Sequence, residues 1–104
     1  MKRVVITGMG IYSCIGTNLD DVTNSLYNSR SGIGIDPLRK EMGYASALTG
    51  ILERPDMKKH LDRKKRLYLA EQGEYAYMAT VEAFRNAGID EKFLEENEVG
   101  ILYG

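Results

Sequence analysis

The chain has 104 residues, 43% of them hydrophobic and 28% charged, a composition that argues against disorder, fibrous repeats and secreted mini-proteins. Fourteen Lys and Arg against fifteen Asp and Glu leave a net charge of -1, so no overall field draws the chain to nucleic acid or to a membrane. One cysteine, Cys14, excludes an internal disulfide, and with His60 as the sole histidine there are too few soft ligands for zinc.

Met1-Lys2-Arg3 has the basic start of an export signal, but Thr7, Gly8 and Gly10 interrupt the apolar run behind it. No membrane-spanning run follows, and the reading is cytoplasmic. Val4, Val5 and Ile6 are β-branched and unbroken by polar residues, which predicts a strand buried on both faces. Gly8 and Gly10, lacking Cβ, then let the backbone approach another element closely. Ile11 to Gly16 is a turn region. Asn18 is the expected N-cap of a helix over Leu19 to Asn28, with Asp20 and Asp21 at the positive end of its dipole. Leu19, Val22 and Leu26 recur at helical spacing, and Arg30 to Gly34 ends the helix.

Asp36 to Pro55 has no clear period, and Tyr44 to Ile51 alternates weakly enough to suggest an edge strand or an extended arm. Pro55-Asp56 opens a short helical turn through Leu61. Asp62 then caps a long helix predicted over Arg63 to Ala87, with Leu69, Gly73, Ala76, Tyr77, Thr80, Phe84 and Ala87 on one stripe. Its small members allow close packing. Gly88 supplies the helix stop, Asp90 begins a short acidic helix, and Val99 to Tyr103 reads as a second buried strand. Strand, helix, excursion, helix, strand is the order of a right-handed crossover in a parallel α/β sheet. An apolar strand with nothing after it to cover its far face predicts a segment of a longer polypeptide.

Three motifs bear on chemistry. Gly8-Met9-Gly10-Ile11-Tyr12-Ser13 approaches the dinucleotide fold-back GxGxxG, but Ser13 stands at the third glycine and the helix begins only after Thr17. The plain strand-and-turn reading is favoured over a Rossmann site. Cys14 beside Ile15 is read as a packing residue rather than a nucleophile, and His60 as a surface residue. Lys58, Lys59, Arg63, Lys64, Lys65 and Arg66 concentrate positive charge. They form either a solvated helix start or a patch for an anionic partner. The second reading gains weight because cations at a helix N-terminus oppose its dipole at a local cost of a few tenths to ~1 kcal/mol.

MKRVVITGMGIYSCIG at the start, SRSGIGI at Ser29 to Ile35, LDRKKR at Leu61 to Arg66 and AFRNAGI before VGILYG together resemble the N-terminal segment of a β-ketoacyl-acyl-carrier-protein synthase, the elongating condensing enzyme of bacterial fatty-acid synthesis. The resemblance covers nearly the whole chain. It implies a thiolase-like α/β fold, a mixed and mainly parallel sheet with flanking helices, of which residues 1–104 would begin the first of two similar halves. It implies a cytoplasmic homodimer that needs no cofactor or metal. Such enzymes load an acyl group onto a cysteine and condense it, with loss of carbon dioxide, with a malonyl thioester on acyl carrier protein.

The family's nucleophilic cysteine and its two histidines match no position here, so the chain carries no catalytic residue by this reading. Cys14 stands at the small residue of the SxIG pattern. What the resemblance does carry over is docking of the carrier's acidic helix, onto Arg63 and Lys64 with Lys65 and Arg66 adding charge, while Leu67 occupies a place that is often basic. A catalytically silent, chain-length-factor-like partner and a polyketide ketosynthase remain the alternatives.

Overall fold

In the computed structural model, which describes residues 1–104, local capping chemistry sets most of the helix ends. The Asp21 N–H donates to Asn18 Oδ1 at 2.9 Å, starting α1 (Leu19–Tyr27) where the sequence predicts. The hydroxyl of Ser25, buried on α1, donates to the Ile15 carbonyl at 2.6 Å and ties the helix to the turn before it.

The excursion resolves into a small antiparallel ribbon. Strand β1 (Ile33–Ile35) pairs with β2 (Leu48–Gly50), Ile33 opposite Gly50 and Ile35 opposite Leu48. The edge strand expected within Tyr44 to Ile51 is thus present over three residues. Its partner, read from sequence only as a helix stop, is a strand as well. Between them α2 (Pro37–Glu41) is capped by Asp36, whose Oδ1 accepts from the Leu38 N–H at 2.9 Å.

After a 3-10 turn (Met57–Lys59), the long helix predicted over Arg63 to Ala87 is two helices, α3 (Arg63–Arg66) and α4 (Glu71–Ala87). Asp62 caps α3 as expected, accepting from the Lys65 N–H at 2.8 Å. The helix then fails to propagate: the Tyr68 and Leu69 N–H groups donate three residues back, to Lys65 and Arg66, and Ala70 is extended at ψ 166°. Four adjacent cations on a single turn repel one another and the positive end of the helix dipole, and Asp62, the one carboxylate at helical spacing from them, serves as the N-cap, so α3 is a poor helix to extend. Helix α4 ends at Gly88, whose φ of 72° is the left-handed stop the sequence announces. Asp90 caps α5 (Glu91–Glu96) through the Phe93 N–H at 2.8 Å.

The two buried strands expected from sequence are not formed. Val4, Val5 and Ile6 are 94%, 67% and 86% exposed, and Ile101 and Leu102 are 85% and 102% exposed; neither segment pairs with another strand. The parallel crossover sheet is therefore corrected, for this chain, to a two-stranded antiparallel ribbon with helices. β-branched residues favour an extended backbone, but a sheet also requires a second extended segment in register, and these residues supply none.

What the opening segment does instead is lie on α4. A Cβ at Gly8 would stand 2.6 Å from Ala87 Cβ, and one at Gly10 would fall onto the Ala79 carbonyl oxygen and within 2.7 Å of the Ala83 nitrogen. The small stripe used here is Ala79, Ala83 and Ala87 at spacings of four, of which the sequence pattern contained only Ala87. The Met9 N–H donates to Asn86 Oδ1 at 3.0 Å and the Ile11 N–H to Glu82 Oε2 at 2.9 Å. The other Glu82 oxygen accepts from the Leu19 N–H at 2.7 Å, so one carboxylate joins the opening segment, α1 and α4.

Candidate functional site

The chemistry-bearing part of the molecule is the strap from Glu53 to Leu67 that crosses the start of α4. Two contacts between residues far apart in sequence hold it. The Tyr12 hydroxyl donates to the Glu53 carbonyl at 2.9 Å while its ring stacks on Tyr75 with centroids 5.6 Å apart. Burial first, and then the nearby Glu53 charge, push the Tyr12 phenol above its usual range. The second contact is a fork: Arg54 Nε and Nη2 donate to the two Glu74 oxygens at 2.6 and 3.0 Å. The Glu74 side chain is 10% exposed against 58% for Arg54. The Arg54 hydrogen bonds hold the Glu74 carboxyl below the usual glutamate value, against the opposing effect of burial.

This anchoring presents the basic run. Met57, 4% exposed, seats the 3-10 turn, leaving Lys58 and Lys59 exposed. On α3 the sequence-selected residues divide by helix geometry. Arg63 and Arg66, three apart, border a cavity of about 450 Å³ together with Arg54, Asp56, Lys58 and Glu74. Lys64 and Lys65 are exposed and lie outside its lining. None of Lys58, Arg63, Lys64, Lys65 or Arg66 is ion-paired, so the segment carries a local positive charge in a chain of net charge -1. Arg54 and Glu74 were missed by the sequence reading. No local pattern marks a pair 20 residues apart that meets only once the strap folds over α4.

The other sequence candidates lie elsewhere. Cys14 is half-buried, and a Cβ on Gly50 would stand 3.1 Å from its sulfur; it packs against the ribbon. His60 is exposed, edge-on to Tyr77 at 6.5 Å between ring centroids. Thiol and imidazole have separate neighbours, Cys14 lying against Gly32 and Gly50 and His60 against Tyr77. Gly8 and Gly10, the start of the dinucleotide-like motif, face the backbone of α4, where the space a phosphate would need is taken by protein. No cluster of three or more His, Cys, Asp and Glu side chains is suited to a metal, and no helix is long and apolar enough to cross a membrane.

Comparison with known proteins bears on the whole chain. Residues 1–104 match the family model described as beta-ketoacyl synthase, N-terminal domain. The chain is 36% identical over 104 residues to 3-oxoacyl-[acyl-carrier-protein] synthase 1 of Haemophilus influenzae, covering 100% of this chain and 25% of that protein. It is 35% identical over 105 residues to synthase 1 of Escherichia coli K12, covering 100% of this chain and 26% of that protein. With synthase 2 of Staphylococcus aureus strain COL it shares 33% identity over 106 residues, covering 99% of this chain and 25% of that protein. The chain thus spans about a quarter of the length of the curated relatives it matches. With the opening glycines seated on α4 and the whole length matched by one family, this chain belongs to the beta-ketoacyl synthase family and aligns with its N-terminal domain.

Proposed function

We propose that residues 1–104 are the N-terminal segment of the first thiolase-like half of a 3-oxoacyl-[acyl-carrier-protein] synthase, in which they supply scaffold and a docking surface for acyl carrier protein. The complete enzyme condenses an acyl thioester with a malonyl thioester in fatty-acid synthesis. Acyl transfer to a thiolate and attack by the carbanion released on decarboxylation need a nucleophile and oxyanion donors. Neither Cys14 nor His60 takes those parts, so this segment acts by binding and positioning.

The observation that carries the reading is the basic run itself. Arg63, Lys64 and Lys65 are exposed on one rigidly capped turn, unpaired, and held at a fixed place by the Arg54–Glu74 fork. An acidic helix approaching such a turn is steered by long-range attraction, which acts on the rate of encounter and weakens with salt. In the full-length enzyme, Arg63→Glu combined with Lys64→Glu is expected to raise KM for carrier-linked substrate by about tenfold at low ionic strength, which is a loss of about 1.4 kcal/mol. The effect should shrink as salt rises, with kcat little changed. An unchanged KM at low salt removes the docking assignment.

A further inference from the structure

The basic turn ends on an apolar residue that its charges do not explain. Leu67 closes α3 in right-handed helical geometry, with φ -64° and ψ -20°, so the helical face continues through it. It stands four residues after Arg63 and three after Lys64, the spacings that stack side chains on one face of a helix. That face therefore carries two unpaired cations and, one turn on, an aliphatic group that is 78% exposed. Leu67 borders the cavity beside Met57 and Leu69, but Met57 is buried and Leu69 half-buried, whereas Leu67 opens to solvent. An uncharged surface laid over Leu67 would also cover Arg63 and Lys64 and leave their charges without partners, at a heavy desolvation cost. A surface that brings carboxylates together with an aliphatic group covers all three without that cost.

We infer that Leu67 is the apolar contact of the docking face, and that the acyl carrier protein it takes presents an acidic helix with an aliphatic side chain one turn from its carboxylates. The inference rests on the docking reading above and adds a contribution that charge does not supply. Attraction between exposed charges speeds encounter and fades with salt. Removal of apolar area from water is not screened in that way, and it acts mainly on how long the complex lasts. Arg63 and Lys64 steer, and Leu67 retains. An acidic partner without the aliphatic group is steered equally and released sooner, so Leu67 makes the face selective among acidic partners.

Steady-state kinetics of the full-length enzyme test this. Leu67→Ala is expected to raise KM for carrier-linked substrate about three- to fivefold at low and at high ionic strength alike, with kcat little changed. Leu67→Met, which keeps the apolar volume, should restore the parent value. KM for a small acyl thioester that lacks the carrier should stay at the parent value in Leu67→Ala, a readout that a folding defect would move. An increase that vanishes at high salt, or one matched by the carrier-free thioester, overturns the inference. So does an unchanged KM in Leu67→Ala when the Arg63→Glu and Lys64→Glu pair raises it, and in that case the docking reading stands. If neither variant moves KM for carrier-linked substrate, both readings fall.

Discussion

Gly10 shows how a single residue type acts through space rather than through flexibility. Its backbone lies so close to α4 that a methyl group there would overlap the Ala79 carbonyl oxygen, which belongs to a helix and has little room to yield. Gly10→Ala should therefore destabilise the chain by about 1–3 kcal/mol, the usual range for overpacking, and detach the Met9 and Ile11 amides from Asn86 and Glu82. Gly100→Ala is the matched control. Nothing lies within 4 Å of its added methyl, and its effect on Tm should stay within about 0.5 kcal/mol equivalent. Thermal unfolding of the two variants side by side checks this, and equal effects would mean that the opening segment does not rest on α4.

At the scale of elements, the strap meets α4 directly through the Arg54–Glu74 fork and indirectly through Tyr12, whose hydroxyl donates to the Glu53 carbonyl while its ring stacks on Tyr75. The acid dependence of the fork has a definite sign. The Arg54 hydrogen bonds hold the Glu74 carboxyl below the ordinary glutamate value in the folded chain, so its contribution to stability is present above that ordinary value and is lost as pH falls through the lower, folded one. Thermal unfolding followed from pH 7 to acid should show a component of the loss that Glu74→Gln abolishes. At neutral pH the variant should already be less stable than the parent, because Arg54 loses its carboxylate. If parent and Glu74→Gln fall in parallel across the acid range, the fork does not hold the strap. The same variant should loosen Met57 to Arg66, since that segment reaches α4 through Arg54, and amide exchange there would report it.

On the scale of the whole molecule, the apolar residues outnumber what the fold covers. Only Val22 and Met57 among the hydrophobic residues are buried, and the radius of gyration is 17.0 Å where a compact domain of this length would have ~13 Å. Val4, Ile6, Ile101 and Leu102 lie open to solvent. A surface of that kind associates. The 104-residue chain should bind a hydrophobic dye and scatter more light as concentration rises. Ile101→Lys with Leu102→Lys should reduce both without lowering Tm, because neither side chain contributes to the fold as it stands. A dilute sample that shows no dye binding and a radius near that of a compact domain would contradict this arrangement.

The features legible in the sequence are those decided within a few residues: the Asn18, Asp62 and Asp90 caps, the left-handed stop at Gly88, the extent of α1, and the basic run from Lys58 to Arg66. A cap needs an oxygen and an N–H three positions apart, and the chain order already places them together. The family resemblance was legible as well, since it rests on short motifs spread along the chain. Other features depended on which distant segments meet. Val4 to Ile6 and Val99 to Tyr103 have the residues of strands and lack a partner in register; the ribbon formed instead between Ile33–Ile35 and Leu48–Gly50. Gly8 and Gly10 were visible as glycines, but only packing showed that they make room for Ala79, Ala83 and Ala87. The same is true of Arg54 with Glu74, and of the cavity that sets Arg63 and Arg66 apart from Lys64 and Lys65. Pairing and close approach join residues whose separation along the chain carries no fixed geometry, so the tertiary structure alone could decide them.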